Sequence, residues 1–302
     1  MRHWLAILIF EFFCVATASA EPMLLKKDGA IYVEEATTAE VENLFRLNHF
    51  DRYDIPYGKF PRIYLKKLPG DWKQVLENEK NGHNKSLHRT FIRILLPLIL
   101  KVNENILAER TLIENISDKH DNKVALSEQD IKILEDKAVK YDVFTRMKGD
   151  ERISTLIKGL LTNIDTVPPS IMIASAAAYT DWGTSRLATE ANSLYLEEVW
   201  YTKEGLKPLN DENAQYRYKI FDSLEESIAA HALKINSNIN YEYLRAGRAL
   251  SRKMKRPPYG EELVVHLMYD NNMQNIIGLI DYTLVHYNLA KTDFFPQLRD
   301  VQ

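Results

Sequence analysis

Cysteine is almost absent from this chain. Of its 302 residues only Cys14 is a cysteine, which excludes a fold held together by internal disulfides. The sequence also lacks a CxxC pair, a His-x-x-x-His pair and any close cluster of histidine and carboxylate residues. Metal sites in proteins are built from such spacings. We therefore expect neither a metal nor another cofactor.

An excess of charge of one sign is also missing. The chain has 39 basic and 42 acidic residues, for a net charge of -3. Proteins that bind nucleic acid usually concentrate lysine and arginine on one surface, so no nucleic-acid partner is predicted. With 45% hydrophobic and 27% charged residues, and no repeat or low-complexity tract, the composition is that of an ordinary globular protein.

The first apolar run of the chain lies at its N-terminus. Arg2 precedes an apolar segment from Leu5 to Phe13, and Ala18-Ser19-Ala20 follows it. This layout is typical of a secretory signal, so residues 1–20 are predicted to be a signal peptide that sends the protein to the periplasm or cell envelope. Glu11 interrupts the apolar run, which leaves an uncleaved N-terminal anchor as the alternative.

The segment after the signal is predicted to be partly ordered. Residues 21–60 suggest a lead-in with one helix from Ala39 to His49, and Phe60 to Pro69 suggests an extended strap between two prolines. Long helical patterns follow. They cover Phe91 to Glu109, with Pro97 producing a kink, Glu128 to Tyr141 behind a Ser127 cap, and Asp150 to Asn163.

The stretch from Val167 to Tyr195 has the least ordinary composition. Its letters are V-P-P-S-I-M-I-A-S-A-A-A-Y-T-D-W-G-T-S-R-L-A-T-E-A-N-S-L-Y. Two prolines restrict its entry, Ser170 can cap a helix, and small residues make that helix thin enough for close packing. The helix is expected to break at Tyr179-Thr180-Asp181-Trp182-Gly183, and Thr184 or Ser185 can cap a second, short helix that runs through Glu190.

The chain changes character after residue 192. Val199 to Tyr201 and Tyr216 to Phe221 are rich in residues that favour strands, and the polar run between them indicates a small, irregular β lobe. Helical patterns then return. They cover Leu224 to Asn236, Tyr241 to Lys253, and Asn271 to Asn288.

The central stretch resembles the bax-type branch of the bacterial glucosaminidases, whose signature reads roughly V-P-P-S-L-A-L-A-Q-A-A-L-E-S-G-W-G-T-S-R-F-A, then E-G-N-N-L-F-G. The resemblance implies a mainly α, lysozyme-like glucosaminidase domain with a small β lobe at 150–290. It follows a strap and helical region at 21–149 and precedes a C-terminal tail at 291–302. The implied partner is the glycan strand of peptidoglycan, and the N-terminal region is a candidate surface for a protein partner.

The catalytic acid of this family is the glutamate of E-S-G-W-G. Tyr179 stands at that position, and Asp181 stands in place of the glycine. A phenol with a pKa near 10 is a weak acid at neutral pH, so Asp181 is the first candidate for a substitute acid. Tyr241 matches the tyrosine of the family's P-x-Y turn, which implies a place beside the site.

The resemblance also implies residues that contact the sugar. They are Trp182 of the W-G pair, Glu190 and Asn192 of the E-G-N-N segment, Tyr195 in place of phenylalanine, and the lobe aromatics Trp200 and Tyr218. For each of them a packing role inside the domain is the alternative.

Two functions therefore remain open from the sequence. The first is a degenerate family member, a pseudoenzyme that binds glycan, because Tyr179 replaces the acid and Leu196 replaces a glycine of the motif. The second is an active peptidoglycan β-N-acetylglucosaminidase that uses another carboxylate, Asp181 first.

Overall fold

The computed structural model describes residues 23–50, 58–78, 85–209, 211, 213–267, 274–294 and 296–301. Helices dominate these residues, and the strands are short. The predicted signal peptide lies outside the described residues.

The α-helices are α1 (Thr38–Leu47), α2 (Trp72–Asn78), α3 (Lys85–Asp121), α4 (Glu128–Lys140), α5 (Gly149–Asn163), α6 (Pro169–Thr180), α7 (Arg186–Ala191), α8 (Leu224–Ser237), α9 (Glu242–Lys253), α10 (Gly260–Leu263) and α11 (Gln274–His286). The strands are β1 (Met23–Lys27), β2 (Ala30–Glu35), β3 (Lys59–Pro61), β4 (Ile63–Leu65), β5 (Glu198–Trp200), β6 (Tyr216–Tyr218) and β7 (Gln297–Arg299).

The N-terminal region forms β-sheets where the sequence predicted only a partly ordered segment and an extended strap. Strands β1 and β2 pair antiparallel, and β4 joins β2 in parallel, with Ile31 opposite Ile63 and Val33 opposite Leu65. These four side chains are buried. Alternating apolar residues need a covered face, and α3, which packs on β4, helps to cover this one.

The C-terminal residues return to the N-terminal region. Strand β7 pairs in parallel with β3, so that Phe60 lies opposite Leu298. The segment that the sequence presents as a tail is therefore a strand of this two-stranded sheet. Nothing local in Gln297–Arg299 predicts the pairing, since its partner lies more than 200 residues earlier in the chain.

Helix α3 is the longest element, and it begins earlier and ends later than predicted. It has 37 residues and contains Pro97, so it is about 55 Å long at 1.5 Å per residue. Its side chains from Phe91 to Leu100 are almost all buried. It packs against α5, α6 and α8, and thereby joins the N-terminal sheet to the rest of the molecule.

Helix α6 is the buried centre of the second half of the chain. Its residues from Pro169 to Ala177 are all buried, as expected for a helix that is apolar on every side. The cap at its start differs from the prediction. Ser170 does not cap the helix; instead Asp293 accepts hydrogen bonds from the Ser170 N–H (2.9 Å) and the Ser170 hydroxyl (2.6 Å).

The remaining predicted elements are present with small shifts of boundary. Ser185 caps α7, Ser223 caps α8, and Ser127 forms a capping box with Asp130 at the start of α4. Strands β5 and β6 form the predicted β lobe as an antiparallel ribbon. Within the described residues, no helix combines the length and the apolar character needed to cross a bilayer.

Candidate active site

Tyr179 lies in the last turn of α6, partly buried against the core. Burial raises the pKa of its phenol to about 12, and the negative charge of Glu197 adds to the shift. At neutral pH the hydroxyl therefore keeps its proton more firmly than a free tyrosine would. The side chain at the family's acid position can donate a hydrogen bond, but it is a poor source of protons.

The chain leaves α6 through two consecutive residues in the left-handed region, Asp181 (φ 48°) and Trp182 (φ 57°). The Thr180 hydroxyl donates to the Ala176 carbonyl at 2.6 Å and accepts from the Gly183 N–H at 2.9 Å. Gly183 has φ 85°, and a side chain there would collide with Leu68. The turn thus requires glycine, and that agrees with the W-G pair of the motif.

Asp181 is exposed and ends α6 as its C-cap. Its carboxylate accepts a hydrogen bond from the Thr184 hydroxyl at 3.2 Å. Its charge also acts on His88, where it opposes the effect of burial; burial is the larger effect and lowers the pKa of His88 to about 4. Asp181 therefore faces the α3 side of the turn, whereas the carboxylate whose charge acts on Tyr179 is that of Glu197.

Trp182 is packed into an aromatic cluster. Its ring stacks on His88 with centroids 3.9 Å apart, and it meets Phe91 and Tyr287 edge to face. Its carbonyl accepts a hydrogen bond from the Trp72 indole at 2.8 Å. The structure thus places this predicted sugar contact at the junction between α6, α3 and α11.

Glu190 and Asn192 lie at the end of α7. Glu190 is exposed and forms an ion pair with Arg186 at 3.7 Å. Asn192 adopts the left-handed conformation at the C-cap, and its amide donates to the Phe221 carbonyl at 3.0 Å. Both side chains have partners that stabilise the entry to the β lobe, and their contact with a sugar stays a prediction.

Tyr195 is buried in the core, and the charge of Glu197 acts on it as it does on Tyr179. Its hydroxyl donates to the Met172 carbonyl at 3.2 Å, and its ring stacks on His231 with centroids 4.1 Å apart. Leu196 follows with φ 55°. A leucine in that region is strained where glycine is not, and this is the position at which the family motif has glycine.

Glu197 is a candidate site residue that the sequence did not reveal. Its carboxylate is 3.0 Å from His231 Nδ1 and 3.1 Å from the Lys234 ammonium, and its side chain is 13% exposed. Burial alone would raise the pKa of Glu197, but the hydrogen bond from His231 and the charge of Lys234 outweigh burial and hold the pKa below its usual value. Burial also lowers the pKa of His231. The contact with Glu197 acts in the opposite direction on the pKa of His231.

One sequence signal could have pointed to this pair. His231 lies on the apolar face of α8, between Ile228 and Ile235. A buried imidazole needs a hydrogen-bond partner, although the sequence does not say which residue provides it.

The β lobe carries its aromatic residues on one face. Trp200 pairs with Tyr216 and Glu198 pairs with Tyr218, so these four side chains share a face of the ribbon. The Trp200 and Tyr216 rings are 5.2 Å apart, and Tyr216 meets Tyr218 edge to face at 5.5 Å. Trp200 is 54% exposed. The aromatic face consists of Glu198, Trp200, Tyr216 and Tyr218, and all four side chains are exposed or half-buried.

Tyr241 ends a short 3-10 turn, Ile239–Tyr241, just before α9, and it packs half-buried against the core. Its predicted place beside the site stays a prediction. Within the part of the chain that the structure describes, no group of three histidine, cysteine or carboxylate residues is arranged to hold a metal ion.

The helical bundle, its β lobe and the helix end at Tyr179 define a mainly α, lysozyme-like glucosaminidase domain. Comparison with known proteins agrees, since residues 160–277 match the glucosaminidase family, described as mannosyl-glycoprotein endo-beta-N-acetylglucosaminidase. The chain is also 31% identical to Protein bax of Escherichia coli (strain K12) over 170 residues, which cover 55% of this chain and 56% of Protein bax. Both matches support a bax-type glucosaminidase family for this part of the chain.

The match to Protein bax spans little more than half of that relative's length. No solved structure matches the chain. The matches support the family of this domain, and its mainly helical fold agrees with them.

Proposed function

We propose that this protein binds the glycan strands of peptidoglycan through its glucosaminidase domain without cleaving them. The observation that carries the proposal is the pair Tyr179 and Glu197. One group holds its proton with a pKa of about 12, and the other is held ionised by its partners. Neither group can act as the proton donor that a glycosidase needs.

The chemistry follows from how these enzymes work. A glycosidase protonates the leaving oxygen with a carboxylic acid whose pKa is raised by an apolar surround. At the family's acid position burial acts on a phenol instead, and it makes a weak acid weaker. Loss of general-acid catalysis typically lowers the rate by about 10² to 10⁴.

The other two carboxylates of the motif are not placed like a buried acid. Asp181 is exposed and accepts from Thr184, and Glu190 is exposed and pairs with Arg186. Neither side chain lies in the apolar surround in which a glycosidase holds its catalytic acid. These positions favour glycan binding over hydrolysis.

Binding needs only a surface that fits a sugar. Aromatic rings stack on the apolar faces of sugars, while carboxylates accept hydrogen bonds from their hydroxyls. The aromatic face of the lobe offers three rings together with Glu198. The predicted signal at 1–20 would export the protein to the compartment where peptidoglycan is found.

The test measures binding and cleavage separately on purified peptidoglycan sacculi. We expect the native chain to co-sediment with sacculi and to release no reducing ends. Trp200→Ala should weaken co-sedimentation, whereas Phe144→Ala should not, because Phe144 is an aromatic residue outside the lobe that is even more exposed (73% against 54%). Equal binding by both variants would show that the aromatic face of the β lobe does not bind the glycan.

Tyr179→Glu tests the missing acid directly. If the rest of the site is intact, this variant should release reducing ends at a rate about 10² to 10⁴ above the native chain. Clear lysis by the native chain would contradict the proposal. If Asp181→Asn then abolished that lysis, the protein would be an active glucosaminidase with Asp181 as its acid.

A further inference from the structure

A second ligand pocket lies at the opposite end of α6 from Tyr179. It has a volume of about 450 Å³ and is bordered by Pro168 and Pro169, the residues that begin α6. The 12 residues of α6 span about 18 Å at 1.5 Å per residue. The pocket is therefore separate from the candidate active site, and its size falls in the range of small-molecule sites, about 300 to 1,000 Å³.

The walls of the pocket are apolar and come from distant parts of the chain. Leu100 and Leu107 of α3 form one side, and Leu298 of β7 contributes from the C-terminus. Five prolines complete the walls: Pro168, Pro169, Pro257, Pro258 and Pro296. Because proline has a fixed φ and no N–H, these walls are stiff and offer no backbone donor, and they suit the apolar body of a ligand.

The polar groups of the pocket are mostly occupied. Arg252 binds the carboxylate of Asp165 through two nitrogens. Arg256 pairs with Glu262 at 2.6 Å, and Glu104 pairs with Arg62 at 3.0 Å. These ion pairs neutralise one another. The carboxylate of Asp293, which also lines the pocket, already accepts from the N–H groups of Ser170 and Gly260 and from the Ser170 hydroxyl.

Two positively charged groups in the walls are not used in this way. Arg248 is 1% exposed; its terminal nitrogens bond to backbone carbonyls and to Asn236, but its Nε has no hydrogen-bond partner among the described residues. The exposed ammonium of Lys255 has no hydrogen-bond or ion-pair partner within the described ranges either. The Arg248 Nε is shielded from solvent, so the exposed ammonium of Lys255 is the group that can contact an anionic ligand in the pocket.

We propose that this pocket binds a monocarboxylate with an apolar body. The apolar part would lie between α3 and the prolines, and the carboxylate would lie toward Lys255. This chemistry is shared by a medium-chain fatty acid and by the free C-terminus of a short apolar peptide. Carboxylate binding here does not depend on glycan binding, since the two sites lie at opposite ends of α6.

The experiment titrates the full chain with matched pairs of probes by calorimetry. The pairs are octanoate with octanamide, and N-acetyl-leucyl-leucine with its carboxamide. At least one acid should bind about tenfold or more tightly than its amide, a difference equal to about 1.4 kcal/mol. If only one acid binds, it identifies the ligand as a fatty acid or as a peptide C-terminus. If neither acid binds, or if acid and amide bind with equal affinity, the proposal is overturned.

Two pairs of variants locate the binding. Lys255→Gln should reduce the affinity for the acid to that for the amide, while Lys253→Gln, in the same exposed basic segment but outside the pocket, should leave it unchanged. Leu107→Trp should fill the pocket and abolish binding. Leu112→Trp is the control, because Leu112 lies on the same helix with a similar exposure, 42% against 39%. Unchanged binding by Leu107→Trp would place the ligand elsewhere.

Discussion

The two ends of α6 differ in how the hydrogen-bonding groups of their backbone and side chains find partners. At the N-terminal end a buried carboxylate, Asp293, accepts from two N–H groups and from the Ser170 hydroxyl. At the C-terminal end the chain turns through Asp181 and Trp182, both with positive φ, and Asp181 reaches solvent. The N-terminal end fixes the helix in the fold, and the C-terminal end carries the residues that decide the chemistry.

Under the proposed function, this difference explains how residue 179 can change while the fold is kept. The contacts that hold α6 in place lie along its buried length and at Asp293. None of them uses the hydroxyl of Tyr179, so replacement of a glutamate at this position leaves the supports of the helix intact. Stability should therefore depend on the N-terminal end of α6 more than on the C-terminal end.

The largest effect is expected for Asp293→Ala. This change leaves the N–H groups of Ser170 and Gly260 buried without an acceptor, and each such group costs about 1 to 3 kcal/mol. We expect the free energy of unfolding to fall by about 3 to 5 kcal/mol, measured by urea denaturation. A loss below about 1 kcal/mol would mean that the N-terminal end does not fix the helix.

Asp293→Asn is the control, and it also gives a pH dependence. Burial raises the pKa of Asp293 to about 7, whereas an unfolded aspartate titrates near 3.9. The folded state thus binds a proton that the unfolded state lacks, and this contribution to stability is full below about pH 4 and lost as the pH rises through about 7. The amide of the variant cannot titrate, so the fall in stability between pH 5 and pH 8 should be smaller in Asp293→Asn.

A smaller effect is expected for Gly260→Ala. A methyl group at this position would overlap the Ser170 hydroxyl, which Asp293 holds in place. Overpacking of this kind costs about 1 to 3 kcal/mol. Gly278→Ala is the matched control, since nothing lies within 4 Å of the added carbon there, and it should leave the melting temperature unchanged or raise it.

Glu197→Gln tests the charged group that acts on Tyr179 at the other end. It removes the ionised partner of His231 and Lys234, and we expect a loss of about 1 to 2 kcal/mol at pH 7. The pKa of Glu197 is lowered in the folded state, so its contribution is present above the unfolded value of about 4.3 and is lost as the pH falls through the folded pKa. The difference between native and variant should therefore shrink in acid. A difference that does not change with pH would contradict the ionised state.

The smallest effect is expected for Asp181→Asn. Asparagine also tolerates the left-handed conformation, and the side chain is exposed, so the free energy of unfolding should change by less than about 0.5 kcal/mol. Denaturation in urea measures it. A loss comparable with that of Asp293→Ala would mean that both ends of α6 contribute equally to the free energy of unfolding.

Much of the local structure followed from the sequence. Capping serines marked the starts of α4, α7 and α8 because an N-cap hydroxyl satisfies backbone groups within three residues, and the small residues of α6 marked a buried helix. The N-terminal sheet was missed. Its strands have only three to six residues, too short for a periodic pattern to stand out.

Most of the long helices and several of their caps could be predicted from the sequence, because each depends on neighbours a few positions away, although the predicted Ser170 cap was wrong. The phenol at residue 179 was found from a motif read in order. Tertiary structure alone decided the rest. It brought Glu197 to His231, 34 residues later, and Asp293 to Ser170, 123 residues earlier. It also paired β7 with β3. Contacts over such separations form only when buried surfaces pack together. No local sequence pattern encodes which polar groups will face each other after that packing.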